Sequence, residues 1–241
     1  MTITSAATAE VILNRVAAEV GLTPLVGGNA YTTSEPSYVQ LRHLLNSAGE
    51  ELALVFPWEF LQRTHTITVV AGQRVYDLPA DYSSMINQTQ WDVGQQRRMI
   101  PTTSQTFKAY SVNNVGTLDV MFRVRDGRLE LVDQLATGTL LTFDYTSISW
   151  VVDGLDPLAR KDFASNPSDL VLFNRRLVTL FVKAKWLEAA GFDTAKAQAD
   201  FNQTFAFVTG KDTPAPVLNL GGRAGFRLVD GENAPYTGFG Q

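Results

Sequence analysis

The chain has 241 residues, a formal net charge of −4, 45% hydrophobic and 18% charged residues, and no cysteine. This is globular composition, long enough to bury a core without staples, and it excludes disulfides, thiolate metal sites and cysteine nucleophiles. The acidic balance supplies no strong basic face of the kind that grips DNA phosphates.

Ser5 to Val20 reads as a first helix: Ile12, Val16 and Val20 form one apolar stripe, Ser5 is placed to cap it and Gly21 to end it. A glycine- and proline-containing loop follows. A second helix is expected from Glu35 to Val55, with Ser34 as N-cap and Pro36 in the first turn, where its missing N–H is harmless. Leu41, Leu44, Leu45, Ala48, Leu52 and Val55 line one side, and Pro57 stops it ahead of Trp58-Glu59-Phe60.

The middle of the chain reads as β. Ile67 and Val69 alternate with threonines, Ala71-Gly72-Gln73 turns the chain, and Val75 to Leu78 is expected to return as the partner strand. Val120, Phe122 and Val124 alternate up to Asp126-Gly127, a type I′ hairpin signal, and Leu129 and Leu131 alternate on the way back. Leu141, Phe143 and Tyr145 make a further strand. Thr64 to Trp150 is thus expected to be an antiparallel β unit, a small sandwich or barrel.

A third helix is expected from Asn166 to Ala190. Asn166 is its N-cap, Pro167 its first residue, Asp169 sits near the positive end of the dipole, and Gly191 is the stop. Its first half is apolar almost all round, so it needs partners on several sides, which a ring of subunits would offer. A fourth helix is expected from Asp193 to Val208, with Phe201, Phe205 and Val208 on one side and Gly210 at its end. From Lys211 to Gln241 glycines crowd the chain with Pro214, Pro216 and Pro235. Leu218, Leu220, Phe226, Arg227, Leu228, Tyr236 and Phe239 are spaced through it. Two readings fit: a disordered tail, or an arm that orders only against a partner.

Chemistry is scarce. The two histidines, His43 and His65, fall on different elements, which weakens both a zinc site and a Ser-His-Asp triad. No Gly-x-Ser-x-Gly elbow or phosphate loop is present, and Gly221-Gly-Arg-Ala-Gly does not fit Gly-x-Gly-x-x-Gly. Asp153, Asp156 and Asp162 cluster in one loop without EF-hand spacing and read as a solvated acidic loop. Arg97, Arg98, Arg123, Arg125 and Arg128 read as surface charges or as salt bridges to a neighbouring subunit. Trp91 and Trp150, with exposed tyrosines, leave open a carbohydrate-binding tail component. The N-terminus lacks the features of a secretion signal, and no stretch approaches the ~20 apolar residues of a membrane span, so a soluble chain, cytoplasmic when made, is expected.

The order of parts carries a resemblance. Leu13-Asn-Arg-Val-Ala-Ala-Glu-Val-Gly-Leu-Thr-Pro-Leu, then Leu45 to Phe60 ending Pro-Trp-Glu-Phe, then Arg63 to Tyr82 with its Gly turn and Leu-Pro-x-Asp close, resemble the head-to-tail adaptor (connector) proteins of short-tailed bacteriophages. These are the tail tubular protein A and P22-like tail accessory types. The resemblance implies a virion structural protein of the neck, without enzymatic activity or cofactor. It would form a ring, usually dodecameric, between the portal protein and the tail nozzle, with DNA passing through unread and no membrane partner. It implies that the C-terminal segment reaches the portal.

The expected fold class is α+β: a four-helix body with an inserted antiparallel β unit and an extended C-terminal arm. Residues 1–62 and 163–210 would form the helical body, 63–162 the β domain and 211–241 the arm. The seven apolar, aromatic and arginine positions of the arm named above are the candidate portal-contacting residues.

Overall fold

The computed structural model describes residues 6–25, 28–113 and 119–212. Among them are five helices, not four: α1 (Ala9–Glu19), α2 (Pro36–Val55), α3 (Ser104–Asn113), α4 (Arg175–Ala189) and α5 (Ala195–Asp212). The strands are β1 (Ala7–Thr8), β2 (Gln62–Thr68), β3 (Val75–Asp77), β4 (Tyr82–Met85), β5 (Trp91–Asp92), β6 (Arg97–Pro101), β7 (Val120–Arg125), β8 (Arg128–Leu131), β9 (Leu140–Ser147), β10 (Val151–Val152), β11 (Arg160–Lys161) and β12 (Leu170–Val171). A four-helix body carrying a small antiparallel insertion is therefore not what forms. The protein builds a large, nearly closed mixed sheet, in the order β2-β9-β5-β6-β7-β8-β3 with β4 also on β9. A second sheet runs β1-β12-β10-β11. The large sheet is mixed because β6 and β7 pair in parallel, with α3 lying between them in sequence.

The helical core is built around α4, which packs against α1, α2 and α5. Its apolar circumference is thus satisfied within its own chain and gives no argument for neighbouring subunits. Ile12 and Val16 of α1 and Leu41, Leu45, Ala48 and Leu52 of α2 are buried, as their spacing predicts, while Val20 and Leu44 are only partly buried and Val55, expected on the same side, is exposed. Trp58 sits at the centre. Its ring lies 5.5 Å from Phe173 and 6.1 Å from Phe205, and its Nε1–H donates to the Leu52 carbonyl at 2.6 Å. That bond removes the cost of burying an indole N–H.

Helix ends differ from the sequence reading in instructive ways. Helix α2 has Glu35, not Ser34, at its N-cap position, without a side-chain capping bond, and Pro36 at the first position, and Gly21 and Gly191 do follow their helices with positive φ. Helix α1 starts at Ala9 with no side-chain cap. Its first N–H groups are met by carbonyls instead, Ala9 to Asp169 at 2.8 Å and Glu10 to Pro167 at 3.2 Å. Ser5 lies outside the described residues. The third predicted helix starts eight residues late. Asn166-Pro167 forms a turn, Leu170-Val171 is strand β12, and the cap is Asn174, whose Oδ1 accepts from Arg176 N–H and Leu177 N–H. Four consecutive apolar residues, Leu170 to Phe173, suit a buried strand as well as a buried helix. Gly210 does not stop α5, which runs on to Asp212.

In the large sheet the type I′ signal is met: Asp126 and Gly127 both have positive φ, 51° and 71°, and join β7 to β8. Val75–Asp77 does not pair with β2, however; β3 pairs with β8, and β2 pairs along its whole length with β9. Ile67, Val69, Phe122, Leu129, Leu131, Leu141 and Phe143 turn inward to form a second core. Two antiparallel neighbours connect this unit to the helices. The helical body enters at Leu61–Gln62, and the chain returns through Ser147 to Trp150, whose indole is fully buried among the helices.

Candidate assembly surfaces

The arm positions Leu218, Leu220, Phe226, Arg227, Leu228, Tyr236 and Phe239 lie outside the described residues. Where the arm departs is fixed by the last turn of α5: Asp212 Oδ2 accepts from Glu59 N–H at 3.0 Å.

The remaining candidates divide by burial. His43 is exposed on α2; His65 is half-buried on β2 against Phe143, at 5.5 Å, and burial lowers its pKa. The two histidines are not brought together, and among the described residues no group of histidines and carboxylates could hold a metal ion. Trp150 is buried and offers no platform for a sugar. Trp91 is 38% exposed, beside a shallow depression lined by Thr89, Val93, Gln96 and Thr142, with the Arg98 guanidinium 5.6 Å from its ring centre. The arginines proposed for intersubunit bridges are paired at home: Arg97 with Asp92, Arg123 with Glu130, Arg125 with Asp126 and Arg128 with Asp77.

The acidic loop is built rather than merely solvated. Asp153 Oδ1 accepts from Leu155 N–H at 2.9 Å and Asp156 Oδ1 from Leu158 N–H at 3.0 Å, two Asx turns in succession. Lys161 pairs with Asp153 at 3.4 Å and with Asp169 at 2.9 Å. Asp169, read from the sequence as a helix-dipole residue, is instead the buried hub of this region. It accepts from Lys161 Nζ and from the N–H groups of Gly154, Ser165 and Asn166. Burial pushes its carboxyl up, but Lys161 and the three backbone donors outweigh that and hold it below the ordinary carboxylate range.

The effect is a short β10–β11 hairpin held from below with an apolar tip above. Leu155 and Leu158 are 82% and 92% exposed. Sequence reasoning passed over them, although Asp-x-Leu twice, three residues apart, is the legible signature of two Asx turns each followed by a leucine. Further exposed apolar side chains are Leu54 and Val55 at the end of α2 and Phe207 on α5.

A second hub ties the turn before β4 to strands β2 and β9 of the large sheet. Asp81 accepts from Arg63 Nη1 at 2.9 Å, Tyr145 Oη at 2.9 Å and Ser147 Oγ at 2.6 Å. Burial raises its pKa, and Ser147, Tyr145 and Arg63 more than reverse this, leaving it lowered. The arrangement is one of braced elements with exposed apolar projections.

A protein-family model described as the SU10 adaptor protein matches residues 7–215, which takes in both cores. The chain belongs to the SU10 adaptor protein family. The SU10 adaptor family is one of structural phage adaptor proteins, consistent with a head-to-tail adaptor in the neck of the virion. No curated protein matches this member. No helix among its described residues is long and apolar enough to cross a membrane.

Proposed function

We propose that this adaptor forms a ring, dodecameric as in the proteins it resembles, between the portal protein and the tail nozzle, and that the ring's bore passes DNA without reading it. The observation that carries the reading is the family match over residues 7–215, which spans the helical body and the β unit together. The net charge of −4 suits a bore that does not hold phosphates. The chain's role in this reading is mechanical and involves no catalysis or cofactor.

In this reading residues 1–62 and 163–210 form the ring-building body. Residues 63–162 form the outward or nozzle-facing unit, and 211–241 the arm that reaches the portal through Leu218, Leu220, Phe226, Arg227, Leu228, Tyr236 and Phe239. Two separate apolar cores support the division, although Trp150 and Val151 fill the helical one. Ring contacts are heterologous, so each subunit must offer two different patches. The leucine tip at Leu155 and Leu158 supplies one projecting member of such a pair.

The test mixes purified protein with portal rings and images the product by negative stain. Decorated portals support the adaptor reading. Portals that stay bare while the nozzle protein binds would move the chain to another position in the tail.

A further inference from the structure

The outer edge of β2 is open, and the hydrogen bonds around it say which groups it presents. Val69 N–H donates to Thr139 O and Gly138 N–H donates to Val69 O, so Val69 turns both backbone groups toward the β9 side. Opposite Thr64 and Thr68, the residues Asp144 and Leu140 turn their carbonyls away from β2, to Ile86 N–H and Val93 N–H. Backbone direction alternates along an antiparallel strand. Arg63, His65 and Ile67 therefore bond to β9, while Thr64, Thr66 and Thr68 point their N–H and C=O groups outward. Among the described residues no strand pairs with that side. Open edges are normally blunted by charged side chains, Lys above all, or by Pro, a bulge or a covering element, and the one charge on β2, Arg63, is engaged by Asp81. Strand β2, Gln-Arg-Thr-His-Thr-Ile-Thr, has neither Lys nor Pro, and its register with β9 is unbroken.

The chain itself supplies a segment that starts in the right place. Asp212 rests on Glu59 N–H, and Glu59–Leu61 is the single turn that leads into Gln62. Asp212, the last described residue, is thus held beside the turn that leads into β2. Residues 213–220, extended, reach about 26 Å, and the seven residues of β2 span about 24 Å. Gly221, Gly222 and Gly225 then offer turning positions. Phe226-Arg227-Leu228-Val229 alternates apolar positions ahead of Asp230-Gly231.

We propose that Phe226–Val229 of the same chain adds antiparallel to the Thr64–Thr68 edge of β2. Phe226 and Leu228 lie on the side of Ile67, and Arg227 and Val229 lie on the threonine side. The hairpin clips the arm to its own β unit and leaves Tyr236 and Phe239 beyond the clip. Of the arm residues assigned to the portal above, Phe226, Arg227 and Leu228 then act in the clip instead, and this does not depend on what Tyr236 and Phe239 meet.

The test is residue-resolved amide hydrogen exchange on the full chain. The amides of Thr64, Thr66 and Thr68 are expected to exchange as slowly as those of His65 and Ile67. Leu228→Pro, which removes an N–H and cannot continue a ladder, should return the three threonine amides to fast exchange and leave Arg63, His65 and Ile67 unchanged. Both results should be independent of protein concentration. Three threonine amides that exchange fast in the full chain overturn the proposal. So does protection that Leu228→Pro leaves intact, or protection that grows with concentration and so belongs to a second copy's segment. No portal is present in the experiment, so its failure is separate from a failure of the adaptor reading.

Discussion

Gly49 of α2 faces the indole of Trp150 so closely that a Cβ at position 49 would overlap the ring. Both residues are buried, and Trp150 arrives on the chain that returns from the large sheet. Gly49→Ala gains about 1 kcal/mol of helix propensity and meets an overpacking cost of about 1–3 kcal/mol. We expect a net loss, seen as a lower thermal midpoint. A raised midpoint would show that α2 and Trp150 separate at no cost.

Asn174, not Asn166, caps α4 through its Oδ1. Asn174→Ala should destabilise the protein by about 1 kcal/mol. Asn166→Ala removes a side chain that donates only a long bond to Ser165 Oγ at 3.4 Å, and its effect should stay within about 0.5 kcal/mol. Denaturant midpoints of the two variants decide between the caps, and equal losses would contradict the assignment.

What the sequence makes legible here is what neighbouring residues decide among themselves. The stripes of α1 and α2, the proline at the start of α2, the Asp126-Gly127 turn and the alternation in β7, β8 and β9 all show in short windows. Partner choice does not. Nothing local tells β2 to take β9, some 80 residues on, rather than β3 six residues away. Strands of two residues such as β5 and β10 have no period to detect, and α3, with modest apolar content, was not seen. Asn166-Pro167 carries a helix-start signal at a place where Leu170-Val171 enters a sheet instead. Of the candidate surfaces, the arm's composition was visible and its departure beside Glu59 was not. Asp169 was read for its position near a helix start, whereas its importance comes from Lys161 and three backbone N–H groups brought to it by the fold.

Acid should unfold this protein through its two hubs. Asp81 and Asp169 both have lowered pKa values, so the native state binds fewer protons than the unfolded one near the ordinary carboxylate pKa of about 4. Their contribution is fully present above that pH and is lost as pH falls through the folded-state values. Asp169→Asn should cost roughly 3 kcal/mol at neutral pH, the scale for breaking a buried ion pair from one side, and flatten the acid limb. Tryptophan fluorescence against pH checks this, and an unaltered acid limb in the variant would count against the hub.

The leucine tip should matter to assembly and not to folding. Leu155→Ser with Leu158→Ser changes two side chains that are almost wholly exposed, so stability should move by no more than about 0.5 kcal/mol per site. Portal decoration or ring formation should fall. Unchanged decoration would remove the tip from the interface.

Deleting residues 214–241 should leave a folded protein, since both cores lie within the described residues before 213, and should abolish binding to portal rings. Circular dichroism and negative-stain imaging of the truncated protein together check the two halves of that expectation.

Among the described residues, the paired strands β2 and β9 are also the passages of chain between the body of α1, α2, α4 and α5 and the large sheet, and they lie side by side in seven matched residue pairs. Force applied along them is carried by the two strands in parallel, and the seven pairs keep them in step. Asp81 braces the base of this stem through Arg63, Tyr145 and Ser147. The sheet is thus joined to the helices through a pair of bonded strands rather than through a single linker.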